Sequence, residues 1–143
     1  GIGKPIATLQ IPAENGGGAA SSPKGGYHWG PSVSWNTYLN CWVMMMAKSV
    51  GQSWKGSQVY ISFNKNPNFD EAIHSQDWTK PQLFFDKPGY ILWYPSLQPL
   101  NTAEDIKAKN TCLKLGKKAR FFVKRIKPGD DEYASEHVVE FEK

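Results

Sequence analysis

Apolar residues fall along this chain in short bursts, some alternating with polar residues and some continuous, set apart by Gly, Pro and polar stretches. Val33 and Trp35 alternate with Ser32, Ser34 and Asn36, and Pro31 bars a helix, so Tyr27 to Asn36 is predicted to be a strand with one apolar and one polar face. Cys41 to Ala47 is seven uninterrupted apolar residues. A central strand covered on both faces is the simplest element of that length. A buried helix is the alternative, and the three Met would suit it, but no N-cap pattern precedes the run and a polar stretch with Gly51 ends it. Gln58 to Phe63 alternates as a third strand. A polar connection over 64–79 leads to Pro81 to Phe85, a fourth, outer strand.

The pattern then restarts. Trp93, Pro95 and Ser96 repeat Trp29, Pro31 and Ser32, each 64 positions on, and the next residue is aliphatic in both copies, Val33 and Leu97. Leu92 to Gln98 is predicted as a strand. Asn101 to Lys118 is a lysine-rich insertion with room for a helical turn over 103–108. Ala119 to Arg125 is a second strand, and His137 to Phe141 a third. A signature that returns with a similar sequel predicts one sheet unit used twice. The expected fold is all-β: a partial β-propeller of about two antiparallel blades of three to four strands, 27–86 and 90–143. A short strand is expected over 5–11 and a flexible Gly, Ala and Ser loop over 12–26.

A chain of 143 residues fits a single domain and can bury a core without disulfides or metal. Two cysteines, Cys41 and Cys112, are too few for a disulfide framework and lack metal-ligand spacing; Cys41, inside its apolar run, is expected as a buried thiol. Neither a metal nor a cofactor is expected. The net charge of +4 is unevenly placed: nine Lys or Arg lie between Lys107 and Lys127, and six acids follow between Asp130 and Glu142. Adjacent blocks of opposite sign are expected to pair with each other, which argues against a nucleic-acid partner. No stretch reaches the roughly 18 apolar residues of a membrane span, so no membrane partner is expected.

The series Trp29-Gly30-Pro31-Ser32-Val33-Ser34-Trp35-Asn36-Thr37-Tyr38-Leu39-Asn40, then Tyr60 to Phe63, Asp77-Trp78-Thr79-Lys80-Pro81 and Trp93-Tyr94-Pro95-Ser96 resembles the later blades of five-bladed β-propeller glycoside hydrolases, the arabinanase and xylosidase family 43 and its exported relatives. The likeness covers about residues 27 to 141. It implies a carbohydrate-associated module, an exported or periplasmic location, and either self-association or completion by the remainder of a longer chain. Hydrolase activity would then require further blades or a second copy. Where such relatives often carry an inner-strand His, this chain has Ser34, so the resemblance brings no metal site with it.

Glycoside hydrolysis needs two carboxyl groups across the scissile bond. Among the acids, Asp77 and Asp86 sit at turns. Glu136, beside His137 at the start of the last expected strand, is the one weak catalytic candidate, although Glu140 and Glu142 share its alternation as a solvated face would. Aromatic and hydroxyl-rich loop ends suit sugar rings, whose faces are apolar and whose rims carry hydroxyls. The candidate ligand-binding residues are His28, Trp29, Trp35, Asn36, Tyr38, Trp93 and Tyr94. Blade packing is the competing role for Trp29 and Trp93. From a different class, a structural or protein-interaction module pairing through exposed sheet edges is the other functional expectation.

Overall fold

The computed structural model describes residues 28–50, 54–75, 77–130 and 132–143. The strand expected over 5–11 and the loop over 12–26 lie outside the described residues. The elements are β1 (His28–Asn36), β2 (Cys41–Lys48), β3 (Gln58–Asn64), α1 (Phe69–His74), β4 (Gln82–Asp86), β5 (Ile91–Gln98), α2 (Ala103–Ala108), β6 (Lys114–Leu115), β7 (Lys118–Ile126) and β8 (Glu132–Glu140). The fold is all-β; among the described residues there are two short helices, and the strands form two curled sheets ordered β4-β3-β2-β1-β6 and β5-β7-β8.

Each sheet is built on an antiparallel meander, as the apolar runs predicted. The β1–β2 turn is made by Asn36, whose Oδ1 accepts from the backbone N–H groups of Tyr38 (3.0 Å) and Leu39 (2.8 Å), the local bonding that favours Asn at turns. The long connection between β5 and β7 crosses to the first sheet. There β6 runs parallel to β1, with Trp35 N donating to Leu113 O and Thr37 N to Leu115 O, both at 2.9 Å.

β2 is covered on both faces, which accounts for its unbroken apolar run. Cys41, Val43 and Met45 join Val59 and Ile61 of β3 against Leu92, Leu97, Ala119, Phe121 and Val123 of the second sheet. Met44 and Met46 point the other way, onto Trp78, Val33 and Tyr60. Fully burying one such side chain stabilises by about 1.5–3 kcal/mol relative to exposure, so the seam between the sheets holds them together.

Two expectations need correction. The connection over 64–79 contains α1. Asn68 caps it, its Oδ1 accepting from Asp70 N (3.0 Å) and Glu71 N (3.3 Å), while Glu71 Oε1 accepts from Asn68 Nδ2 at 3.1 Å. Trp78 then closes over Met44 and Met46, and its Nε1 donates to the carbonyl oxygen of the buried Ala72 at 2.8 Å. The last strand begins at Glu132 instead of 137 and ends at Glu140, leaving the buried Phe141 just beyond it. The tight turn over 127–130, with Gly129 at φ +82° and Asp130 N donating to Lys127 O at 2.8 Å, starts the β7–β8 ladder immediately at Arg125 and Glu132. Turn geometry here overrides the missing apolar alternation.

The expected pairing of the charge blocks takes place along this ladder. Lys117 Nζ lies 2.8 Å from Glu140 Oε1, Lys118 Nζ 3.5 Å from Oε2, and the buried Arg125 guanidinium pairs with Glu132.

Candidate functional site

The two copies of the tryptophan-proline-serine signature lie on β1 and β5, which meet across the two sheets, and Ser32 Oγ donates to the carbonyl oxygen of Pro95 at 2.8 Å. Both copies carry the same bulge. Trp29 pairs with Ala47 and Ser32 with Met45, so β1 spends one residue more than β2 across the interval; Trp93 pairs with Lys124 and Ser96 with Phe122 in the same way. Proline has no N–H to give a ladder, and a bulge is one of the few places a strand can hold one. The residue before each proline has a left-handed backbone: Gly30 at φ +57° and Tyr94 at φ +54°. Glycine adopts that conformation freely. Tyrosine does so at a cost of about 1–2 kcal/mol.

Four rings gather where the bulges meet. The Trp29 ring lies edge-on to Trp54, Tyr94 and Trp93, with centroids 4.9, 5.5 and 6.0 Å away. Trp93 and Tyr94 are themselves 6.0 Å apart. Trp93 Nε1 donates to the carbonyl of Trp54 at 2.7 Å, which pins the β2–β3 connection to β5. Gly56 brings that connection in. A Cβ there would stand 1.6 Å from Lys48 O, and Gly56 O accepts from Leu92 N at 2.9 Å. The cluster presents a surface: Trp54 is 52% exposed and Tyr94 51%. The Trp29 indole N–H is buried and has no acceptor among the described residues.

Of the seven candidate residues, Trp29, Trp93 and Tyr94 come together and four lie elsewhere. His28 packs on Tyr60, ring centroids 4.8 Å apart. Trp35 packs on Trp42 at 5.1 Å, and Trp42 on Phe69 at 4.8 Å, on the face of the first sheet that Trp78 covers. Asn36 is buried, and its amide is spent on the turn and on Gly116 O, 3.0 Å from Nδ2. Tyr38 stands just past the opposite end of β1 from Trp29, with Lys143 Nζ 5.0 Å and Lys117 Nζ 5.6 Å from its ring. Glu136 lies on β8, and its side chain is outside the described residues. Sequence reasoning missed Trp54. The available signal was a large aromatic residue in the otherwise polar stretch 51–55.

A separate open cleft of about 980 Å³ lies toward the Tyr38 end, lined by Leu39, Cys41, Phe63, Lys65, Asp77 and Lys143 among others. Burial pushes the Cys41 thiol above its ordinary value, against a smaller opposing influence of Lys65, so it is a protonated thiol at neutral pH. Among the described residues no group of three His, Cys, Asp or Glu side chains is placed to hold a metal ion, and no helix is long and apolar enough to cross a membrane.

No protein-family model matches the chain, and neither a curated protein nor a solved structure matches it.

Proposed function

We propose that this chain is a carbohydrate-binding module of β-propeller type, related to glycoside hydrolases and without a complete catalytic set in these residues. The observation that carries the reading is Tyr94. At the equivalent place in the first unit the left-handed position is filled by Gly30, at no conformational cost. The second unit instead holds a tyrosine ring there, half exposed, beside a half-exposed tryptophan. Backbone strain kept at a surface aromatic cluster points to a functional demand on that ring. Sugar rings stack on such faces.

The propeller part of the proposal is supported by how the sheets stack. Val33 pairs with Met44 and Leu97 with Phe121 at matching positions of the two units. Val33 and Met44 face Trp78, on the far side of the first sheet, whereas Leu97 and Phe121 face the first sheet. The units are thus arranged front to back, the relation that successive blades have around an axis.

A protein-interaction module is the second reading, and the outer strands favour it: Val138 on β8 is 63% exposed and Leu83 on β4 is 53% exposed, each on a strand at the end of its sheet. Titration with arabino- and xylo-oligosaccharides, followed by tryptophan fluorescence, separates the two. The carbohydrate reading expects saturable binding that Trp54→Ala weakens. Absence of binding to either series, together with saturable association through β8 or β4, would instead establish the interaction reading.

A further inference from the structure

We infer that the aromatic site takes a glycan chain spanning at least two sugar rings, and that Trp54 and Tyr94 each bear one of them; the inference rests on the carbohydrate reading above. Two half-exposed rings are present, and they come from separate segments: Trp54 from the β2–β3 connection and Tyr94 from the bulge in β5. Both pack against Trp29, at interplanar angles of 61° and 72°, so Trp29 is their common neighbour, and each outer ring keeps about half of its surface exposed.

Trp54 is tied through its main chain by the bond from Trp93 Nε1, next to the close approach of Gly56 to Lys48, and Tyr94 sits within the β5 bulge at φ +54°, directly before Pro95. Two neighbouring platforms reward a ligand whose two rings are covalently joined, because the second contact forms at high effective concentration once the first is made. A monosaccharide can use one platform at a time and gains no such advantage.

The test is calorimetric titration of the full chain with one series, xylose through xylopentaose, and a second, arabinose through arabinopentaose. In at least one series the disaccharide or trisaccharide should bind at least about tenfold more tightly than the monosaccharide, with a plateau at greater length. Trp54→Ala and Tyr94→Asn should each flatten that dependence, leaving all lengths near the monosaccharide affinity. Both variants are chosen to preserve the fold: Trp54→Ala keeps the carbonyl that Trp93 uses, and Asn tolerates the left-handed backbone at 94. A monosaccharide that binds as tightly as its oligomers overturns the two-platform inference while leaving the carbohydrate reading intact. Failure of every length in both series overturns the two together.

Discussion

Gly30 and Tyr94 occupy the same place in two copies of one bulge and share one backbone conformation, φ +57° and +54°, with the Tyr94 Cδ1 atom 3.8 Å from where a Gly30 Cβ would be. The two signatures therefore match in geometry as well as in letters, and they touch. What differs is the side chain: the first copy has none at this point, and the second puts an aromatic ring over the first.

That difference separates stability from binding. Tyr94→Asn relieves a strain of about 1–2 kcal/mol while giving up edge contacts worth about 0.5–1.5 kcal/mol each. The two effects nearly cancel. Chemical denaturation should place the variant within about 1 kcal/mol of the parent, while its affinity for oligosaccharide falls by at least about tenfold.

Gly56 behaves differently. The atoms a new Cβ would meet are the backbone O and C of Lys48, at 1.6 and 2.6 Å, which cannot rotate aside. Gly56→Ala must push the β2–β3 connection off β2 and break the Leu92 N to Gly56 O bond between the two units. A loss of about 3 kcal/mol or more is expected in a denaturant midpoint series.

Lys109 ends α2 in the left-handed conformation, at φ +54°, with its N–H bonded back to Asp105 and Ile106 carbonyls. Glycine is the residue suited to that cap. Lys109→Gly is expected to raise stability by about 0.5–1 kcal/mol after the added freedom of the unfolded chain is counted, seen as a higher melting temperature.

Asp105 makes the segment that carries β6 sensitive to acid. Its Oδ1 accepts from Asn110 Nδ2 at 2.8 Å, and its Oδ2 accepts from Thr102 N and Oγ1 at 3.2 and 3.0 Å. The Asn110 bond foremost, and then those from Thr102, hold the carboxyl below its ordinary range against the opposing effect of burial. A folded-state value below the unfolded one means that the stabilisation is fully present above about pH 3.9, the unfolded carboxylate range, and is lost as pH falls through the lower folded value. Amide-exchange protection across residues 102–116, taken relative to the intrinsic exchange rate at each pH, should fall in that acidic window, and Asp105→Asn should remove this pH dependence.

Much of the fold was legible because its strands announce themselves. Pro31 and Pro95 forbade helix, the alternation at Val33 and Trp35 fixed the strand period, and the unbroken Cys41–Ala47 run needed cover on both faces. The helical turn over 103–108 followed from its composition. α1 was also legible in principle, since Asn68 followed by Glu71 is a helix-start pattern, but the surrounding polar residues masked it.

The site was only partly legible, for a geometric reason. Counting by twos along β1 puts Trp29 and Trp35 on one face, yet the extra residue at Gly30-Pro31 moves Trp29 to the opposite one, across from Ala47, while Trp35 faces Trp42. The candidate set was therefore split between two faces. Trp54 entered from a loop whose approach depends on the tertiary fit of Gly56 against Lys48, which no local pattern encodes.

The most direct measurement follows the six tryptophan side-chain N–H signals by ¹⁵N-labelled NMR while oligosaccharide is added. If Trp54, Tyr94 and Trp29 form the sugar site, the Trp29 and Trp54 signals move saturably while those of Trp35, Trp42 and Trp78 stay in place. Signals that all remain fixed, or that move at Trp35, Trp42 or Trp78 and leave Trp29 and Trp54 unchanged, contradict it.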